Sequence, residues 1–425
     1  MTGNSHAGSI LEVLTGFASW LNSFGENSFD HQSFYAGSYG GRAKSLYYRY
    51  RVLGTVAVAP IIFFEAFVPS ARRLFHRPTR FPIADAHYAM GFAFLYEATA
   101  DPLYLEKAVH FLRVLAETRC TQFKEYCWGY PFDWVTRNGV IKQQTPLITT
   151  TPYVYEAFLQ LYRIDPRDEW KGILESIARH ACDDIKDFRT SETASSCSYT
   201  PVGGGGVINA AAYRAFLLTS ASRLFSDDYC WNLAERNLNF VLDAQNPDGS
   251  WYYAVDGVRD FVDHFHTCFV MKALAKIHTL TGNVGCLEAL SRGADYYLEN
   301  LFDEDGLPRP FSRAPRLTVY KRELYDCAEC INLCLLLRNR FPQFEATLGK
   351  VVEGILKDWI KPDGSFRSRQ LLFGWDDVPM HRWAQSQMFR SLAYYLREQN
   401  GSRVSATTEI ARNLTSPSHQ SSLIP

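Results

Sequence analysis

Apolar positions recur at helical spacing in one segment after another along the chain, and the segments are of two kinds. Some are apolar on nearly every face, as in Phe261, Val262, Phe265, Phe269, Val270, Ala273, Leu274 and Ile277. Others are one-sided: Leu287, Leu290, Ala294, Tyr297, Leu298 and Leu301 form a stripe, set against Glu288, Arg292 and Glu299. A helix apolar all round is buried, and a one-sided helix is peripheral. The pattern predicts helices near 55–75, 83–98, 103–118, 147–163, 168–186, 207–225, 228–245, 261–281, 284–301, 322–340, 344–360 and 380–399. Those starting near 83, 147, 207, 261, 322 and 380 are the buried set.

Chain breakers divide these helices into pairs. Asp101-Pro102, Asp165-Pro166, Thr281-Gly282-Asn283 and Phe341-Pro342 make short links, which alternate with long loops at 119–146, 187–206, 246–260, 302–321 and 361–379. Three of the loops follow one plan: Pro247-Asp248-Gly249-Ser250-Trp251, Glu304-Asp305-Gly306-Leu307-Pro308 and Pro362-Asp363-Gly364-Ser365-Phe366, with aspartates 57 and 58 residues apart. Such a period with two helices inside it indicates stacked helical hairpins. Six inner and six outer helices make an all-α (α/α)6 toroid, the first helix packing outside the last. An open solenoid would need polar capping repeats, and neither end has one. The expected organisation is an irregular leader over 1–50, holding one amphipathic segment from Ile10 to Leu21; the toroid over 51–400; and a polar, disordered tail over 401–425.

In such a ring all inner-helix N-termini open on one face, where unpaired N–H groups favour oxygen-rich ligands. Stepping by the period puts Tyr153, Asn209, His266, Asp326 and Trp383 at one level, with Asp85 or His87 near it. That set is unusually polar for the tops of buried helices. Asp263 and His266, at i and i+3, share a side and suit an acid/base unit; the plainer reading is a helix cap beside a satisfied histidine. Arg322, Asp326 and Glu329 suit a carboxylate tuned by its neighbours, or equally a salt-bridged helix start. Asp133 sits among Trp128, Tyr130, Phe132 and Trp134, a setting expected to raise a carboxyl pKa. Candidate catalytic residues are therefore Asp133, Asp263, His266 and Asp326. Candidate substrate contacts are Trp128, Trp134, Tyr153, Tyr199, Asn209, Trp251, Arg322, His381, Arg382 and Trp383. Cys327, Cys330 and Cys334 read as core residues rather than a metal cluster. Gly203 to Gly206 lacks the Lys and Ser/Thr of a phosphate loop.

Composition narrows the options. A net charge of −1 without a basic run gives nucleic-acid binding no electrostatic support. The ten cysteines do not space like a stapled scaffold, and no secretory signal opens the chain. Reduced thiols and a cytoplasmic location are the expectation. The longest apolar run, Val52 to Val68, holds Pro60 and Glu65 and is short for a membrane span. A buried toroid helix is the expected reading. A peripheral membrane contact, aided by Arg49, Arg51, Arg72 and Arg73, is the alternative. Aromatics at 15% serve equally as wedges between helices and as stacking surfaces for sugar rings.

The stretches Trp128 to Trp134, Thr149 to Tyr153, Ser198 to Pro201, Gln245 to Tyr252, Asp263 to Thr267 and Arg382 to Gln385 resemble the six-hairpin glycosidase-like superfamily. More narrowly, they resemble helical-toroid proteins encoded with bacterial exopolysaccharide machinery, over roughly residues 80–400. That superfamily includes glycoside hydrolases, uronate lyases and sugar epimerases. The resemblance implies action on a carbohydrate; the leading expectation is a carbohydrate-active enzyme working by acid/base chemistry, with no cofactor or metal. A hydrolase would use two of Asp133, Asp263 and Asp326 across the funnel. An epimerase or lyase would use His266 or Tyr199 as base, with Arg322 or Arg382 holding a uronate carboxylate. Gln245 to Trp251 also looks like a repeat of triterpene cyclases, which makes a terpenoid cyclase one alternative. A non-catalytic glycan-binding protein of a polysaccharide assembly is the other. The oligomeric state is left open.

Overall fold

The structure, a computed structural model, describes the backbone of residues 3–415 and the side chains of 8–401. Its helices run in order α1 (Gly3–Phe24), α2 (Ser33–Ala36), α3 (Ser38–Arg49), α4 (Arg51–Phe67), α5 (Arg72–Phe75), α6 (Pro82–Thr99), α7 (Pro102–Glu117), α8 (Thr151–Ile164), α9 (Asp168–Arg179), α10 (Ile208–Phe225), α11 (Asp228–Asp243), α12 (His264–Thr281), α13 (Val284–Asn300), α14 (Leu324–Leu337), α15 (Gln343–Asp358) and α16 (Ser386–Thr415). Three of the short links share one device. Ala100, Ser226 and Gly282 end their helices in the left-handed conformation, and the next residue caps the following helix. Asp101 accepts from the Leu103 N–H, Asp227 from those of Tyr229 and Cys230, and Asn283 from that of Cys286. The chain therefore reverses within two residues, and each outer helix lies back along its inner partner.

The inner helices α6, α8, α10, α12, α14 and α16 pack in sequence, and α16 closes on α6. Outside them lie α7, α9, α11, α13 and α15, and the architecture is the all-α (α/α)6 toroid. One continuous core holds the ring together.

The helix that completes the outer layer is not the expected one. α1 packs against α16, and Ile10, Leu14, Phe17 and Leu21 enter the main core. The Asp-Gly turns show the equivalence. Each glycine has a positive φ (90°, 76° and 88° at Gly249, Gly306 and Gly364), which only glycine adopts freely. Gly249 abuts Arg292 of α13, Gly306 abuts Lys350 of α15, and Gly364 abuts Gly16 of α1. α1 thus stands to the third turn as α13 and α15 stand to the first two. α1 is therefore part of the ring, which the expected leader over 1–50 did not include. The polar tail divides: α16 continues to Thr415, and residues 416–425 lie outside the described ones.

The segment expected to close the ring does something else. α4 crosses α3, and Phe34, Ala43, Val58, Ile61 and Ala71 form a second, small core. This unit sits on the rim of the toroid, held by buried Arg72 to Asp376 at 2.7 Å and by Glu65 to Arg369 at 2.8 Å.

The long loops fold into short antiparallel pairs that the sequence pattern did not predict. β1 (Trp134–Thr136) pairs with β2 (Gly139–Ile141), and β3 (Asp187–Arg189) with β4 (Ser195–Cys197). β5 (Val262–Asp263) pairs with β6 (Phe311–Arg313), and β7 (Tyr320–Glu323) with β8 (Arg369–Leu371), which β9 (Trp375–Asp376) extends. β5 and β7 run directly into α12 and α14, so the starts of those helices are set by sheet register.

Candidate active site

Asp263 ends β5 and caps α12, accepting the His266 N–H at 2.8 Å through Oδ1. Its other oxygen lies 2.6 Å from His266 Nδ1. A carboxylate can only accept there, so Nδ1 carries the hydrogen and Nε2 is left to take a proton. Asp263 is buried, while the His266 side chain is 21% exposed. Both readings of this pair coexist: the cap holds the imidazole by one oxygen and polarises it by the other.

One hairpin further, Asp326 lies in the first turn of α14, fully covered, and neither carboxyl oxygen has a partner. Burial raises its pKa well above the usual carboxylate range, and the nearby carboxylates of Glu323, Asp263 and Glu329 push it further the same way. The direction of this shift favours the neutral acid, and the Asp263 carboxylate is close enough to contribute to it. Rings surround the cluster. Tyr325 stacks on Trp383 at 4.3 Å, Phe265 meets both edge-on at 5.3 Å, and Tyr253 packs 4.7 Å from His266. Trp134 and Tyr199 continue the lining, 6.0 Å apart, with Thr149 donating to the Tyr199 hydroxyl at 3.0 Å. The Trp383 indole N–H donates to Glu323 at 3.1 Å, and Glu323 also meets Arg369 at 2.5 Å. Asn209, in the first turn of α10, has a buried and unpartnered Oδ1.

The structure brings together Asp263, His266, Asp326 and Trp383, with Trp134 and Tyr199 in the lining. It takes other candidates elsewhere. Asp133 is 42% exposed, paired with Lys142 at 2.8 Å and accepting the Gln143 N–H. The Lys142 hydrogen bond lowers its pKa, the reverse of the expected rise. Arg322 lies in β7, not on the helix, and successive strand residues face opposite ways. It points from the cluster to Asp303 (2.7 Å), Asp305 (3.0 Å), the Pro308 carbonyl and Gln370. Arg382 is clasped by Asp30 at 2.9 and 2.6 Å, with Tyr130 at 3.2 Å. Neither arginine has a free edge for a uronate carboxylate. Trp128 and Trp251 are buried wedges whose indoles donate to Leu115 and Val241 carbonyls. Tyr153 is buried in the first turn of α8 with its hydroxyl bonded to that of Tyr213 at 2.6 Å, and His87 meets Gln387 at 2.6 Å. Asp85 pairs with Arg80 at 2.9 Å.

His381 is also structural. Its Nε2 donates to the Gly25 carbonyl at 2.9 Å, and Nδ1 accepts from the Tyr88 hydroxyl at 2.6 Å. Burial pushes the imidazole down to about 4, and the same cause takes His31 down to about 3. A histidine lowered in the folded state stabilises the fold above its unfolded pKa and loses that contribution as pH falls toward the folded value. Thermal melts should therefore show stability declining from about pH 6.5 downward, His381 alone accounting for about 3 kcal/mol by pH 4. His381→Gln should flatten that decline.

Sequence reasoning missed several residues of the mouth and the layer below. His31 lies over Trp383, centroids 4.0 Å apart, brought there by Asp30. Arg369 reaches Glu323 from the neighbouring strand β8. Lys272, absent from the sequence reading, forms a buried ion pair with Glu329 across α12 and α14, and Lys276 pairs with Glu156. Lys272 and Glu329 are 57 residues apart, so the repeat period itself carried that signal. Gln245 proves to be a staple, donating to the Gly249 and Ala289 carbonyls. Cys330 and Cys334 are buried 3.8 Å apart, and among the described residues no His/Cys/Asp/Glu group is arranged to hold a metal. A hollow of about 500 Å³ lies on the outer wall between α1 and α7, away from the cluster.

The chain has the six-hairpin glycosidase-like toroid fold. Solved structures similar to it include the unsaturated glucuronyl hydrolase of Bacillus sp. GL1, with TM-score 0.62 and 14% identity over 93% of this chain and 98% of that one. Cellobiose 2-epimerase from Bacillus thermoamylovorans B4167 matches with TM-score 0.59 and 11% identity, over 75% and 88%. An alpha-1,6-mannanase from Salegentibacter sp. HEL1_6 matches with TM-score 0.54 and 14% identity, over 76% and 90%. No family model and no curated protein matches the sequence.

Proposed function

We propose that the chain is a carbohydrate-active enzyme, working on an oligosaccharide or polysaccharide by acid/base chemistry at the mouth of the toroid. One observation carries this reading. A histidine polarised by a buried carboxylate shares the cluster with an unpartnered carboxyl whose pKa is raised, among partly exposed aromatic rings. His266 takes a proton through Nε2, Asp263 holds it in the right tautomer, and Asp326 gives a proton. Trp383, Phe265 and Trp134 are partly exposed and offer apolar faces to sugar C–H groups, with Tyr325 stacked beneath Trp383. Glycosidic-bond cleavage, epimerisation and elimination all need one group that takes a proton and one that gives it.

The enzymes named for the similar folds, a glucuronyl hydrolase, an epimerase and a mannanase, support a saccharide substrate. A uronate substrate draws support from the first of these but not from the arginines, since both are neutralised by aspartates. A terpenoid cyclase needs a dry aromatic cavity. The charged pairs Lys272–Glu329 and Lys276–Glu156 inside the ring speak against one.

The test is incubation of the protein with neutral and acidic polysaccharides in heavy water. Deuterium at a ring carbon marks epimerisation, an ultraviolet chromophore marks elimination, and new reducing ends alone mark hydrolysis. A panel left unchanged would favour a glycan-binding protein and sink the enzyme reading.

A further inference from the structure

α4 is a helix apolar on two faces with only one of them covered. Gly54, Val58 and Ile61 face inward to α3 and the small core. Val52, Val56, Phe63 and Phe67 recur at helical spacing on the other side and stand 79, 70, 55 and 57% exposed. The apolar surface runs on past the helix, because Phe67 stacks with Phe373 at 6.3 Å and Leu372 and Phe373 are themselves exposed. Between Val52 and Phe64 the chain has no charged residue. A patch of this size on an otherwise charged surface marks a contact site.

Charge identifies the occupant. Residues 38–77 hold seven Lys/Arg and one acid, in a chain whose net charge is −1. The acid, Glu65, is turned inward to Arg369, and Arg72 is buried on Asp376. Lys44 is partly buried and donates to Gln32, which leaves Arg42, Arg49, Arg51, Arg73 and Arg77 exposed, flanking the apolar face at both ends, with exposed Tyr48 and Tyr50 beside them. We infer that this face of α4 docks on an anionic lipid bilayer. The helix lies in the interface with Val56 and Phe63 among the acyl chains, while the tyrosines and arginines sit at headgroup level. Among the described residues no helix is long and apolar enough to cross a membrane, so the contact is with one leaflet. A second copy of the chain is a poorer occupant. A two-fold contact across this face would set arginine against arginine, with no exposed acid in the unit to pair them.

The experiment is co-sedimentation of the full chain with vesicles of phosphatidylcholine alone, or with roughly one third phosphatidylglycerol. The expected result is capture by the anionic vesicles, weakened by salt. The double variant Val56→Asp/Phe63→Asp should lower partitioning by about tenfold or more with an unchanged melting temperature, both positions being exposed. Arg49→Glu/Arg51→Glu should act in the same direction with the apolar face intact. Wild-type protein that stays in the supernatant with anionic vesicles overturns the inference, as does undiminished binding by the apolar-face variant. A solution dimer that Val56→Asp/Phe63→Asp dissociates also overturns it, because the face is then covered by a second copy.

Discussion

Asp326→Asn is expected to lower turnover by about 10²–10⁴-fold, the usual cost of removing a positioned proton donor. The amide keeps the shape of the side chain and cannot give up a proton. The same variant should change how stability depends on pH. The folded-state pKa of Asp326 is raised, chiefly by burial, so its contribution is greatest when it is protonated and is lost as pH rises. Each pH unit between the unfolded and folded values costs the native state about 1.4 kcal/mol. Wild type and Asp326→Asn should then melt alike at about pH 4, and the variant should become relatively more stable toward alkaline pH. Parallel stability curves would mean that Asp326 is ionised in the native state and is no acid. The two readouts are separate, so a variant that only unfolded would not be mistaken for an inactive one.

Arg382→Ala should cost about 3–5 kcal/mol of stability, because it strands a buried carboxylate. Burial opposes ionisation of Asp30, yet Arg382 and His31 more than offset it and hold the carboxyl far below its usual range. Arg382 also lies over Tyr130 and Trp383, 4.7 and 5.2 Å from their centroids. The clasp ties the chain just after α1 to the start of the last inner helix, across 352 residues. Denaturant melts of Arg382→Ala, Asp30→Ala and the double variant give the check. The double variant should be less damaged than the sum of the singles, since it leaves no unpaired charge. A loss below about 1 kcal/mol in Arg382→Ala would show that other contacts hold the N-terminal segment.

The ring was legible because its signals are local and repeated. The Asp-Gly turns behave as turn formers: Asp248 accepts the Ser250 N–H at 2.9 Å and Asp363 that of Ser365 at 3.0 Å. The level of His266 and Asp326 followed from the period. What could not be read depends on distant contacts. α1 was taken as part of a leader because Gly/Ser/Asn-rich sequence separates it from everything else, and only α16, more than 360 residues later, reveals its place. The apolar run of α4 reads as a buried helix packed outside the last inner one, because so apolar a segment is normally covered. Arg322 and Arg382 looked like ligand-binding cations since their acids lie 17 to 19 and 352 residues upstream. Asp133 looked shielded by its aromatic neighbours, but the β1–β2 hairpin supplies Lys142 and opens it to water. The pairing of Lys272 with Glu329 is legible in the sequence: two charges one period apart on all-apolar helices mark facing positions.

The account rests on His266 as the residue that takes the proton, and one comparison tests this directly. Wild type and His266→Gln are measured together for turnover of whichever saccharide responds, for affinity to it, and for melting temperature. If His266 takes the proton, turnover falls by about 10²–10⁴-fold in the variant, with affinity and melting temperature nearly unchanged. Turnover kept within a few-fold, or lost only in step with the melting temperature, would contradict it.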